Sequence, residues 1–173
     1  EPMAIIGMSG QYAGADSLDA FWECLRKGKD SITEIPPDRW SQEGFYHPDP
    51  KEAVALGKSY SKWGRFLDGF ADFDPMFFSI TPREAMEIDP QERLFLQASW
   101  QALEDAGYTR EILRAEYEQR VGVFAGITKT GFDLYGPELR AQGDIKFPHT
   151  SFSSVANRIS YFLDVQGPSM PID

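Results

Sequence analysis

The chain has 173 residues, 42% of them hydrophobic, a length and composition suited to a globular domain able to bury a substantial core. Its 27 acidic residues outnumber 17 basic ones, for a formal charge of −10. That balance argues against a nucleic-acid partner, which requires a basic face to displace counterions from phosphates. Cys24 is the single cysteine, so an intrachain disulfide and a cysteine-rich zinc site are both excluded, and a reducing, cytoplasmic compartment fits. No apolar run approaches the ~18 residues that read as a membrane span, so no membrane partner is expected. Glu1-Pro2 followed at once by Met3 is not a signal peptide and reads as a linker trimmed back to a domain edge.

In chain order, Met3 to Met8 is a short apolar run ending in Ser9-Gly10, the pattern of a buried strand closed by a turn. Asp16 or Ser17 can cap a following helix, on which Leu18, Phe21, Trp22 and Leu25 form a core-facing stripe that Gly28 ends. Residues 30 to 64 are broken by Pro36-Pro37, Pro48, Pro50 and Gly57 and predict loop. Their aromatic content predicts packing against a larger body. Thr81-Pro82-Arg83-Glu84 and Asp89-Pro90-Gln91-Glu92 are two helix starts with proline at the first helical position. The second of these helices runs to Ala106 and carries Leu94, Phe95, Leu96, Trp100 and Leu103 around most of its surface, predicting a largely buried element. Val121 to Ile127 is a second apolar strand, residues 132 to 150 give no clear element, and Phe152 to Leu163 is a helix with Ser151 or Ser153 as cap. Gly167-Pro168 is a turn into an extended segment, Ser169 to Asp173, in which Pro171 strips one edge of a ladder donor. Short strands alternating with long helices predict an α/β fold with a mostly parallel sheet.

The chemistry-bearing residues do not assemble a site by spacing. Cys24 lies within an amphipathic helix with no local base, which predicts an idle thiol. His47 and His149 sit in proline-flanked loops without metal-ligand spacing, so no metal is expected. Asp68, Asp72 and Asp74 suit turns better than a calcium loop, which their spacing does not match. Gly7, Gly10 and Gly14 do not form the G-x-G-x-x-G dinucleotide fingerprint, and a turn after a strand accounts for them.

Taken in order, the motifs resemble ketosynthase (β-ketoacyl synthase) domains of modular polyketide synthases along nearly the whole chain. The matching segments include Met3-Ala4-Ile5-Ile6-Gly7-Met8, Ile35-Pro36-Pro37-Asp38-Arg39-Trp40, Phe73-Asp74-Pro75-Met76-Phe77-Phe78, Pro82-Arg83-Glu84-Ala85, Asp89-Pro90-Gln91-Glu92-Arg93, Val121-Gly122-Val123-Phe124 and Ala156-Asn157-Arg158-Ile159-Ser160-Tyr161. Tyr60-Ser61-Lys62-Trp63-Gly64 is most similar to synthases whose acyltransferase acts in trans. The resemblance implies the N-terminal portion of a thiolase-like αβαβα layered fold that dimerises. It implies decarboxylative Claisen condensation of an acyl thioester with a malonyl unit on an acyl carrier protein. No cofactor would be bound directly, the acyl groups riding on the carrier's phosphopantetheine. Residues 1–173 would form the N-terminal part of one ketosynthase domain, truncated before the nucleophile. In the family that nucleophile is the cysteine of Asp-Thr-Ala-Cys-Ser, preceded by Gly-Pro-Ser. Gly167-Pro168-Ser169-Met170-Pro171-Ile172-Asp173 matches the approach and places the cysteine at the third residue after Asp173. Two histidines and a lysine lie further downstream, so no catalytic residue is expected within the chain. Ile127, Thr128, Phe147 and His149 are carried over as candidates for the acyl tunnel, and loop packing is the alternative for each. The expected partners are the remainder of the ketosynthase domain, a second copy across the dimer, and an acyl carrier protein. The alternative reading is a non-catalytic half-domain used for assembly or docking between synthase subunits.

Overall fold

The computed structural model describes residues 2–128, 131–149 and 151–173. The chain divides into two compact units, one of residues 10–69 and the other of residues 1–9 with 70–173.

In the smaller unit, helix α1 (Leu18–Arg26) begins where Ser17 Oγ accepts the Ala20 amide, supplying one of the partners that the first turn of a helix lacks. Tyr12 stacks on Phe21 at 3.9 Å between centroids. The stripe on α1 is less buried than its periodicity predicts: Leu18 and Phe21 are half-buried, Trp22 and Leu25 exposed. Strands β1 (Thr33–Glu34) and β2 (Trp63–Gly64) form a short antiparallel pair, clasped by the Lys62 ammonium on Glu34 at 2.6 Å. Between them, α2 (Pro50–Ala55) starts on Asp49, whose Oδ1 accepts the Lys51 and Glu52 amides. Ala15 and Ala53 are this unit's buried hydrophobic residues among those described. A core so thin follows from the sequence: prolines and glycines cut the segment into elements too short to present a continuous apolar face.

The larger unit holds α3 (Pro82–Glu87), α4 (Pro90–Asp105), α5 (Arg110–Tyr117), β3 (Val123–Gly126), a 3₁₀ turn (Phe132–Leu134), α6 (Tyr135–Ala141), α7 (Phe152–Leu163) and β4 (Ser169–Ile172). Thr81 Oγ1 accepts the Glu84 amide and Asp89 Oδ1 the Gln91 amide, so both proline-led helix starts form as expected. Strands β3 and β4 pair in parallel with Val123 opposite Ser169 and Gly126 opposite Ile172. The connection between them passes through α6 and α7, as a parallel crossover requires. Val123, Ala125 and Ile127 are buried in one core with Val155, Ala156, Ile159, Phe162 and Leu163 of α7 and Leu96 of α4. Phe124, Met170 and Ile172, on the opposite face, are exposed. Helix α7 thus covers one face of the sheet, and α4 packs on α7.

Two expectations for this unit are corrected. Met3 to Met8 forms no strand among the described residues, and Met3, Ile5, Ile6 and Met8 are exposed. The segment is instead tied to α4: Asp105 Oδ2 accepts the Met8 amide at 2.9 Å, and Ser9 Oγ donates to Gln101 Oε1 at 2.8 Å. Gly7 has a steric reason, because a Cβ there would run into the Ala102 carbonyl and the Ala106 side chain. Helix α4 is also less buried than its apolar content predicts. Leu96 is fully buried, whereas Phe95, Trp100 and Leu103 are half-buried against the core, since one side of the helix meets α7. Its other buried side chain is charged: Glu92 has 0% exposure.

Candidate ketosynthase scaffold

Parallel pairing carries the ends of β3 and β4 to the same side of the sheet. The Ile127 amide donates to the Ile172 carbonyl at 3.0 Å, so Thr128 and Asp173 leave the sheet together. In α/β sheets ligands gather at the carboxyl ends of parallel strands, and this is where the approach to the expected nucleophile lies. Entry into β4 is sterically fixed. A Cβ at Gly167 would strike the Val121 carbonyl and the Gly122 nitrogen, so glycine alone allows the two backbones to come this close. The Val123 amide donates to the Pro168 carbonyl at 2.7 Å, and carbonyls 168 and 172 both face β3. By alternation the nitrogen of Pro171 faces the far edge, which therefore lacks a donor there, as the sequence predicts.

Behind the strands, α7 carries a charged clasp. Arg158 Nη1 meets Glu84 Oε1 at 2.7 Å, and its Nε is paired with Glu92 Oε1. Ser154 Oγ donates to Glu92 Oε2 at 2.5 Å. One arginine thus holds α3, α4 and α7 together and compensates a carboxylate that has no access to water, a cost of several kcal/mol if left unpaired. Beside the clasp an aromatic group joins Phe77, Phe78, Trp100 and Phe162, and the Arg110 guanidinium lies 3.7 Å from the centroid of Phe162. The signal for the clasp was present in the sequence as Glu84, Glu92 and Arg158 inside matched motifs, but spacing alone read the two glutamates as parts of helix starts.

The four tunnel candidates occupy two places. The Ile127 side chain is buried in the core and Thr128 is exposed, both just after β3. Phe147 is exposed and His149 half-buried, and His149 Nδ1 lies 3.2 Å from the Phe147 carbonyl. This second pair is fastened to the end of α3, where the Phe147 amide donates to Glu87 Oε1 and the His149 amide to the Glu87 carbonyl. Among the described residues no hydrogen bond, ion pair or ring contact joins the two places. A groove of about 420 Å³ lies elsewhere, along Phe95, Leu103, Tyr108, Val123, Phe124 and Leu163, and includes none of the four.

The other residues weighed from the sequence take structural partners. Cys24 is half-buried with Sγ 3.7 Å from the Gly14 carbonyl. His47 Nε2 lies 3.1 Å from Glu52, and Asp74 Oδ1 accepts the Phe77 amide in a turn. Glu23 is held below its ordinary value by Arg26 and then Lys27. Asp144 is lowered by the Lys146 amide and then its ammonium, and Arg93 is lowered by burial.

The Beta-ketoacyl synthase, N-terminal domain family model matches residues 1–173. Polyketide synthase ThaG of Burkholderia thailandensis is 53% identical over the whole chain, and polyketide synthase PksL of Bacillus subtilis 48%. The chain spans 3% and 4% of the lengths of these two synthases. Among solved structures, the oxazolomycin ketosynthase domain OzmH KS7 of Streptomyces albus superposes with a TM-score of 0.89 at 48% identity, and the module 6 ketosynthase of the Bacillus subtilis bacillaene synthase with 0.76 at 39%. Each superposition covers 98% of this chain, and 28% and 26% of the respective ketosynthase chains. With an α/β core, a parallel strand pair and the ordered motifs all in agreement, the chain belongs to the β-ketoacyl synthase family, as its N-terminal domain, and shares the fold of polyketide synthase ketosynthases.

Proposed function

We propose that residues 1–173 are the N-terminal scaffold of a polyketide synthase ketosynthase that extends acyl chains by decarboxylative condensation. The observation that carries this reading is β4 itself. It pairs in parallel with β3 and runs from Gly167-Pro168-Ser169 at its entry to Asp173 at the carboxyl end of the sheet, and the family has its cysteine three residues after that aspartate. A cysteine at a strand-to-helix turn has its thiolate favoured by the helix N-terminus. That thiolate attacks an acyl thioester and releases the phosphopantetheine thiol of the donor carrier. A malonyl unit on a second carrier then loses carbon dioxide, and the resulting enolate, stabilised by downstream histidine donors, attacks the acyl-enzyme carbonyl and expels the cysteine thiolate. In this reaction the chain serves as scaffold, tunnel wall and part of a dimer surface. Thr128, Phe147 and His149 contribute exposed wall surface, and the buried Ile127 side chain backs it. The Tyr60–Gly64 wording supports a synthase supplied by an acyltransferase in trans.

The test is acylation. The chain extended by its native downstream residues through the ketosynthase domain is incubated with acyl thioesters and weighed intact. One adduct, on the cysteine following Asp173, is expected. A domain that folds and dimerises yet takes no acyl group from several donors favours the assembly or docking reading instead.

A further inference from the structure

Helix α7 and strand β4 are joined by a relay of side chains that the sheet ladder does not require. Ser169, the first residue of β4, donates from Oγ to Asn157 Oδ1 at 2.8 Å. Ser160 Oγ in turn donates to Ser169 Oγ at 3.0 Å, with the Ala156 carbonyl a second acceptor at 3.3 Å. Asn157 and Ser160 are three residues apart on α7, hence on one face of the helix. Arg158, between them, anchors the same turn to Glu84 and to the fully buried Glu92. The strand is therefore tied through Ser169 to the turn that Arg158 clasps to α3 and α4.

We propose that Ser169, with Asn157 and Ser160, is a positioning device for the nucleophile, fixing how far β4 reaches along its own axis. The inference rests on the reading that β4 leads to the catalytic cysteine. Its physical basis is how short the sheet pairing of β4 is. The ladder to β3 spans four residue pairs, and Pro171 strips the far edge of a donor at its middle. A slip by one residue would move the chain about 3.3 Å and turn its side chains to the other face. Catalysis tolerates far less, since a misplacement of about 1 Å can cost up to 10²-fold in rate. The hydroxyl of Ser169 points toward α7 on the same face as Val123 and Ala125, so its bond to Asn157 adds to the short ladder's resistance to sliding. All three act through where β4 ends, as positioning residues.

The experiment compares Ser169→Ala, Asn157→Ala and Ser169→Thr in the full ketosynthase domain containing this chain. Self-acylation kinetics are measured, together with the pH dependence of alkylation of the nucleophilic thiol. Ser169→Ala and Asn157→Ala are expected to lower the acylation kcat by about tenfold with KM little changed, and to displace the pH midpoint of alkylation. Ser169→Thr, which keeps the hydroxyl, should restore both. Should Ser169→Ala fail to fold, Asn157→Ala, which leaves the strand sequence intact, carries the same readouts. Variants that melt at lower temperature but keep the wild-type kcat and pH midpoint would overturn the proposal and leave a merely structural relay. A wild-type domain that never acylates is a different outcome: it removes the ketosynthase reading, and this inference with it.

Discussion

Glu92 has no solvent exposure, yet its helix position reads from the sequence as an ordinary acidic residue in a first turn. Its burial is tolerable because Arg158 and Ser154 meet both carboxylate oxygens. Removing one partner leaves an uncompensated charge, whereas removing both leaves an apolar contact. Arg158→Leu is accordingly expected to destabilise the ketosynthase domain by about 3 kcal/mol. Glu92→Leu combined with Arg158→Leu should recover most of that loss, as read from denaturant midpoints; a double variant no more stable than Arg158→Leu would show that the ion pair is not the determinant. A second prediction at this scale concerns Cys24. Its half-buried thiol faces the Gly14 carbonyl, an acceptor that does nothing to favour a thiolate. Intact-mass measurement after incubation with an acyl thioester should find no adduct on Cys24, and a stoichiometric one would contradict this account. The expectation of an idle Cys24 comes from the sequence, which sets no base beside it, and thiol reactivity depends on neighbours. The Glu92 clasp was not, because Glu92 and Arg158 are 66 positions apart and only the packing of α4 on α7 brings them together.

Helices with unambiguous start signals formed where the sequence put them. Thr81, Asp89 and Ser17 each place a side-chain oxygen on an amide of the first turn. Helix α7 spans Phe152–Leu163 as its periodicity predicts, although Ser151 caps nothing with its side chain and its Oγ instead lies 2.9 Å from Ser153 Oγ. A contrast follows: Thr81→Ala should cost about 1 kcal/mol, and Ser151→Ala only a few tenths. Chemical denaturation of the two variants in the domain checks it, and equal losses would mean that α3 does not depend on its cap. Other elements escaped the sequence reading for identifiable reasons. Helix α6 contains Gly136-Pro137, which reads as a breaker, yet a proline in the first turn forgoes only an amide that has no partner there. Helix α5 follows directly on the Gly107 turn that closes α4, with Thr109 capping it, and its eight residues give too short a period to stand out. Met3 to Met8 erred in the other direction. Its apolar run suits a strand, but a strand exists only through its neighbours, and here hydrogen bonds to Asp105 and Gln101 hold the segment against α4.

At the scale of the whole chain the dominant feature is how much apolar surface remains open. Phe124, Met170 and Ile172 on one face of the β3–β4 pair are exposed, as are Met3, Ile5 and Trp22. Large exposed apolar patches mark association surfaces or aggregation liabilities. Residues 1–173 expressed alone are therefore expected to self-associate or to bind hydrophobic dye without a cooperative melt; a monomer with a sharp thermal transition would contradict this. The fold class was readable because a parallel strand pair, a helical crossover and ordered family motifs point the same way. A tunnel is not legible in spacing, because a cavity wall is defined by what closes it; Ile127 and Thr128 follow β3, while Phe147 and His149 are fastened to the end of α3. A scaffold of a condensing enzyme must, once joined to its native continuation, support chain extension by two carbons. The ketosynthase domain comprising residues 1–173 and their native continuation is acylated, mixed with malonyl carrier protein, and the carrier-bound product is weighed. A carrier bearing the acyl chain extended by two carbons, with loss of carbon dioxide, is the predicted result. A folded domain that acylates its cysteine but never extends the chain would contradict the condensing role.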